Sequence, residues 1–150
     1  MPFWLMKSEP DVYGIDDLKR DRRTCWEGVR NYQVRNMMRD DMRKGDLAFF
    51  YHSNCKRPGI YGTMKIVREA YTDHFQFDPD SKYYDPKSDP DDPRWLMVDV
   101  GYQRKFRHPV TLEDLRQEAP LEDMLILRRG NRLSVTPVSD RHWTYILGLV

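Results

Sequence analysis

The sequence predicts one α+β domain, a small, curved, mostly antiparallel sheet or barrel of five to six strands with short helices around it. Two observations carry this. Six short apolar or aromatic segments bounded by turn residues, at 3–7, 46–52, 59–67, 95–100, 104–110 and 132–136, follow the pattern of strands. The helical signals between them are short and irregularly spaced, whereas a doubly wound parallel sheet needs regular alternation of strands with long helices. A chain of 150 residues forms one domain with a real core, and no repeat, low-complexity tract or linker divides it.

Phe3-Trp4-Leu5-Met6-Lys7 is nearly all apolar, as a strand covered on both faces would be. Ser8-Glu9-Pro10 ends it, since proline cannot donate to a ladder. Tyr13 to Arg20 predicts a short helix with Ile15 and Leu18 on one face, and Asp21-Arg22-Arg23 is a polar lead-in. A second helix is expected over Tyr32 to Met42, with Val34, Met38 and Met42 on its apolar side and Gly45 beyond its end. Gly59 and Gly62 predict close backbone approach or a bulge in their strand.

From Thr72 to Arg94 the chain is a long Asp/Pro/Tyr segment whose four prolines exclude central strand or helix interior. Loops this long in small domains are functional or disordered, and the adjacent Tyr83-Tyr84 argues against disorder. Asp78 and Asp80 lack the spaced acids, central glycine and terminal glutamate of an EF-hand. Thr111 with Asp114 predicts a capped helix start, a short helix follows Pro120, and Ser139 predicts the cap of a last helix carrying Trp143, Ile146 and Leu147. The last strand, 132–136, is expected to end at Pro137.

Net charge is +1, but the charge is uneven. Residues 19–57 hold eleven Lys/Arg against five Asp/Glu, and residues 73–92 hold seven Asp against two Lys. A basic face and an acidic face are expected, although charge runs also occur as plain solvated surface. Arg35, Arg39 and Arg43 form a stripe that reads either as a phosphate track or as a solvated helix face. Cys25 and Cys55 read as two free thiols in a reducing compartment. The apolar start Met1 to Met6 is too short for a signal peptide and lacks a basic n-region, and no run approaches a membrane span. Cytoplasm is the expected location, with nucleoid association compatible.

Catalytic signatures are weak. There is no G-x-S-x-G, H-E-x-x-H, phosphate-cradling glycine loop or zinc-type spacing, and the four histidines are scattered singly. No cofactor and no metal are expected, and no catalytic residue is assigned. Binding signals are stronger. Within 25–36, Trp26 offers a stacking face, Asn31 and Gln33 match the edge of a planar base, and Arg30 and Arg35 suit phosphate. The same stretch also reads as a loop entering a surface helix with Trp26 anchored in the core. Tyr51-His52-Ser53-Asn54 closes a strand with hydrogen-bonding groups.

Six motifs in order resemble the EVE domain family over essentially the whole chain: residues 4–10 (WLMKSEP), 26–33 (WEGVRNYQ), 50–54 (FYHSN), 58–60 (PGI), 83–88 (YYDPKS) and 132–138 (RLSVTPV). The resemblance implies a PUA-like fold and a module that reads a modified base, such as 5-methylcytosine or an oxidised form, in DNA or RNA. It implies ligand-binding roles for Lys7, Ser8, Trp26, Gly28, Val29, Asn31, Tyr51, His52, Ser53 and Pro137, with Trp26 as a wall of an aromatic cage. Arg30, Arg35 and Arg39 are the expected contacts to the nucleic-acid backbone. A PUA-type RNA-binding module without a base pocket, and a hydrolase of a modified nucleoside, are the alternative readings. The chain is expected to act as a monomer.

Overall fold

In the computed structural model, which describes residues Phe3–Val150, six strands form one sheet: β1 (Phe3–Ser8), β2 (Arg23–Trp26), β3 (Leu47–His52), β4 (Gly59–Thr72), β5 (Leu96–Thr111) and β6 (Val135–Val138). Met1 and Pro2, the start of the apolar N-terminal stretch, lie outside the described residues. Strand order is β2-β5-β4-β3-β1-β6. Only β1 and β3 run parallel; the other neighbours are antiparallel. The sheet curls without closing, because β2 and β6 are its two edges and do not pair. Among the described residues, four short α-helices surround it: α1 (Ile15–Asp21), α2 (Tyr32–Asp40), α3 (Leu112–Arg116) and α4 (Asp140–Leu147).

These are six strands, but not the six that the sequence suggests. The segments 95–100 and 104–110 fuse into the single strand β5, with polar residues in its middle. Its pairing with β4 shifts register four times, and such bulges bend a strand and raise its twist. Gly62 sits at one of them, where a Cβ would run into the Arg104 carbonyl. Arg23–Trp26, running from the end of the polar lead-in into the Trp26 stretch, form β2, an unexpected four-residue edge strand paired only with β5. The last strand is not stopped by Pro137. Pro137 lies within β6, opposite Trp4, and an edge strand tolerates the missing donor.

The apolar run of β1 is explained by burial on both sides. Trp4 and Met6 join Phe50, Met64, Val98 and Val100 in one core; Leu5 joins Phe49, Ile60, Phe106 and Trp143 in the other. The period of two thus sorts β1 and β3 between two cores, whereas the bulged β4 and β5 pass from one core to the other along their length. Helices α1 and α2 supply the first core, and α3 and α4 the second.

Two caps follow the sequence: Thr111 and Asp114 form a capping box, and Ser139 accepts from the His142 N–H. A third, at α2, was not expected: the Asn31 side chain accepts from the Val34 N–H. The long Asp/Pro segment is ordered by its own aspartates: Asp78, Asp85 and Asp89 each accept from the backbone N–H two residues on, the Asx-turn pattern. It packs through Gln76, fully buried, which donates to the Asp73 and Trp95 carbonyls and accepts from the Ser88 hydroxyl and the Trp95 N–H. The expected acidic face is therefore partly internal, since Asp73 is fully buried.

Candidate functional site

The curl brings β2, at one edge, back toward β1. A cavity of about 360 Å³ opens between them, within the range of small-ligand pockets. It draws on both strands although three others separate them in the sheet. From β1 come Lys7 and Ser8, followed by Glu9. From β2 come Thr24, Cys25 and Trp26, followed by Glu27, Gly28, Val29 and Arg30. Ser53 lies beside Ser8 because the Ser53 N–H donates to the Ser8 carbonyl at 3.0 Å, extending the β1–β3 ladder by one residue.

Trp26 is both packed in the core and open to the cavity. It is only 8% exposed and meets Phe50 edge-on at 5.4 Å, yet it also lines the cavity. A second aromatic wall is Tyr83, delivered from the long Asp/Pro segment. It is held by a buried latch. Arg30 donates through Nε and Nη2 to the Tyr83 carbonyl, at 3.2 and 2.7 Å. Its Nη1 reaches the buried Asp73 carboxylate at 3.0 Å. The same Asp73 oxygen accepts from the Gly28 N–H at 3.0 Å. One fully buried carboxylate thus ties the turn after Trp26 to the loop that carries Tyr83.

The nucleophile-type groups in the cavity are quiet. Burial, reinforced by the neighbouring Glu27 carboxylate, pushes the Cys25 thiol up to about 12, so at neutral pH it is a thiol and not a reactive thiolate. The Ser8 hydroxyl donates to the Tyr13 carbonyl at 2.6 Å, not to a base. Tyr13 is itself pushed up to about 12, first by burial. The Lys7 ammonium is held below its ordinary value by burial. Polar recognition is available from the carboxylates of Glu9 and Glu27. Glu9 is steadied by the Asn54 amide at 3.1 Å.

Of the expected ligand-binding residues, Lys7, Ser8, Trp26, Gly28, Val29 and Ser53 line this cavity. Four do not. Asn31 spends its side chain on capping α2. His52 is buried, accepts from the Ile15 N–H at 3.1 Å and stacks on Tyr61, so it anchors the start of α1. Tyr51 lines an adjoining groove instead, and Pro137 lies on the edge strand β6 beside another. Among the expected backbone contacts, Arg30 is taken up in the latch. Arg35 donates to the Arg94 carbonyl and to Asn36. Arg39 is exposed and pairs with Asp40, a surface pair of small worth. Glu9, Glu27 and Tyr83 also line the cavity and were not among the expected site residues. For Tyr83 the signal was present in its adjacent tyrosine pair within a long, proline-studded loop.

The EVE domain model matches residues 2–149. The chain belongs to the EVE domain family. It is 47% identical over 165 residues to thymocyte nuclear protein 1 of Danio rerio, an alignment covering 97% of this chain and 71% of that one. A Pseudomonas syringae protein of known crystal structure superposes with a TM-score of 0.95 at 46% identity, covering 98% of both chains. Human THYN1, solved in complex with 5-methylcytosine-containing DNA, superposes with a TM-score of 0.93 at 44% identity, covering 99% of this EVE domain and 97% of that chain.

Proposed function

We propose that this EVE domain is a non-enzymatic reader of a modified base, of the 5-methylcytosine class, turned out of a DNA strand into the cavity between β1 and β2. The observation that carries this is the cavity itself. It has two aromatic walls, Trp26 and Tyr83, with Tyr83 fixed by the buried Asp73–Arg30 latch. The complex of human THYN1, 44% identical, with 5-methylcytosine DNA supports the choice of ligand.

The energetics fit a base turned out of the stack. Unstacking costs a few kcal/mol, and stacking on an aromatic wall returns roughly 1–3 kcal/mol. A preformed wall avoids a further ordering cost on binding. The methyl group adds on the order of 1 kcal/mol of apolar burial, roughly fivefold to tenfold in affinity. Carboxylates accept from the N4 amine of cytosine, and Glu9 and Glu27 supply that group at the cavity.

The test is a tryptophan-fluorescence titration at one fixed salt, with DNA and RNA oligonucleotides that do or do not carry 5-methylcytosine. Modification-dependent quenching that is lost in Trp26→Ala is the expected result. Equal, salt-sensitive binding of every strand by both proteins would instead describe a backbone binder.

A further inference from the structure

A second groove, of about 530 Å³, adjoins the cavity and shares Lys7 and Ser53 with it. Its lining holds four cations, Lys7, Arg116, Arg128 and Arg129, and no carboxylate. We infer that this groove, not the arginine stripe of α2, carries the phosphate backbone of the strand that delivers the modified base.

Three observations support this. First, these cations are unspent: among the described residues, none of the four makes an ion pair or has its side chain in one of the hydrogen bonds of the fold. Arg35 and Arg39 of α2, and Arg43 just beyond its end, contrast with them. Arg35 and Arg43 donate to backbone carbonyls, and Arg39 is paired with Asp40. A cation already bound to the protein must exchange one partner for another, whereas a free one releases only solvent and counterions.

Second, the arginines are presented by a built turn. The Asn131 N–H returns to the Arg128 carbonyl at 3.2 Å. The Asn131 side chain then pins the turn at both ends, donating to the Leu125 carbonyl at 2.7 Å and accepting from the Leu133 N–H at 2.9 Å. Arg128 and Arg129 stand exposed on that turn, and Arg116 is exposed at the end of α3. Third, the groove is continuous with the cavity. Lys7, which lines both, is placed where the base must leave its own backbone.

The placement relies on the base-reading proposal, so the two are tested separately. The ligands are a single-stranded DNA oligonucleotide carrying one 5-methylcytosine and the free nucleoside 5-methyldeoxycytidine. The proteins are wild type, Trp26→Ala, the triple variant Arg116→Gln/Arg128→Gln/Arg129→Gln, and Arg39→Gln. Affinity for the oligonucleotide is measured over a range of salt, with thermal melting as a check on folding. Each phosphate contact to a single strand contributes roughly 0.7 to the slope of log affinity against log salt, so the triple variant should lose about 2 units of slope. It should keep its methyl preference and its affinity for the nucleoside. Arg39→Gln should keep the wild-type slope. An unchanged slope in the triple variant overturns the groove, whatever its affinity. A methyl preference that survives Trp26→Ala overturns the base reading, and the slope comparison still decides the groove.

Discussion

At Gly28, a Cβ would stand 2.5 Å from the ring of Tyr83, and φ there is +83°. The turn after Trp26 is therefore shaped twice over, by a backbone conformation that suits glycine and by the aromatic wall packed against it. Gly28→Ala should cost about 1–2 kcal/mol through the left-handed backbone alone, a fall in Tm of roughly 2–8 °C for a domain of this size. It must also displace Tyr83. Affinity for methylated DNA should fall by more than the same substitution lowers the affinity for unmodified strands. Melting curves and titrations of both ligands check this.

The latch behind Tyr83 separates stability from recognition. Asp73 is fully buried and accepts from the Gly28 and Phe75 N–H groups and from Arg30. Asp73→Ala removes one partner of a largely buried ion pair and leaves two backbone donors unmatched, so a loss of about 3 kcal/mol is expected. Arg30→Lys keeps the charge opposite Asp73 but loses the two-pronged contact with the Tyr83 carbonyl. It should melt near wild type and bind methylated DNA several-fold more weakly. Denaturant unfolding paired with titration distinguishes the two variants.

What the sequence disclosed follows from how local each signal is. Caps at Thr111 and Ser139 lie within three residues of their partners, and the apolar run of β1 reports its own burial; both were legible, whereas the equally local cap at Asn31 reads in the sequence as a base contact. The fusion of two segments into β5 was not, because its polar middle is held by long-range pairing with β4 and β2. The partners of the arginines were not legible for the same reason. Arg30 is typed for phosphate, but its partners Asp73 and Tyr83 lie 43 and 53 positions away. Conversely, Arg116, Arg128 and Arg129 of the second groove belong to segments that carry no motif.

Cys25 gives a chemical check on the quiet cavity. Its thiol is raised to about 12 by burial first and by Glu27 second, so alkylation at pH 8 should be slow, since the thiolate is the reacting form. Glu27→Gln removes the neighbouring charge and should lower the Cys25 value, speeding its alkylation. Peptide mass spectrometry after timed iodoacetamide treatment reads Cys25 separately from Cys55. Fast labelling of Cys25 in the wild type would contradict the environment described.

The last prediction concerns pH. Burial holds His52 below its ordinary value, and its Nε2 must stay unprotonated to accept from the Ile15 N–H at the first turn of α1. A base whose value is lowered by folding binds more protons when unfolded. Its stabilising contribution is complete above the unfolded value, near pH 6.5, and is lost as pH falls from there toward the lower folded value. Asp16 acts in the opposite sense but is the smaller influence. Stability measured by urea unfolding should therefore fall between pH 7 and pH 5. His52→Gln, which keeps an acceptor for Ile15 but cannot titrate, should start from a lower stability at pH 7 and decline less over the same interval. A wild-type protein whose stability is flat across that range, or a His52→Gln variant that declines as steeply, would show that His52 does not set the response.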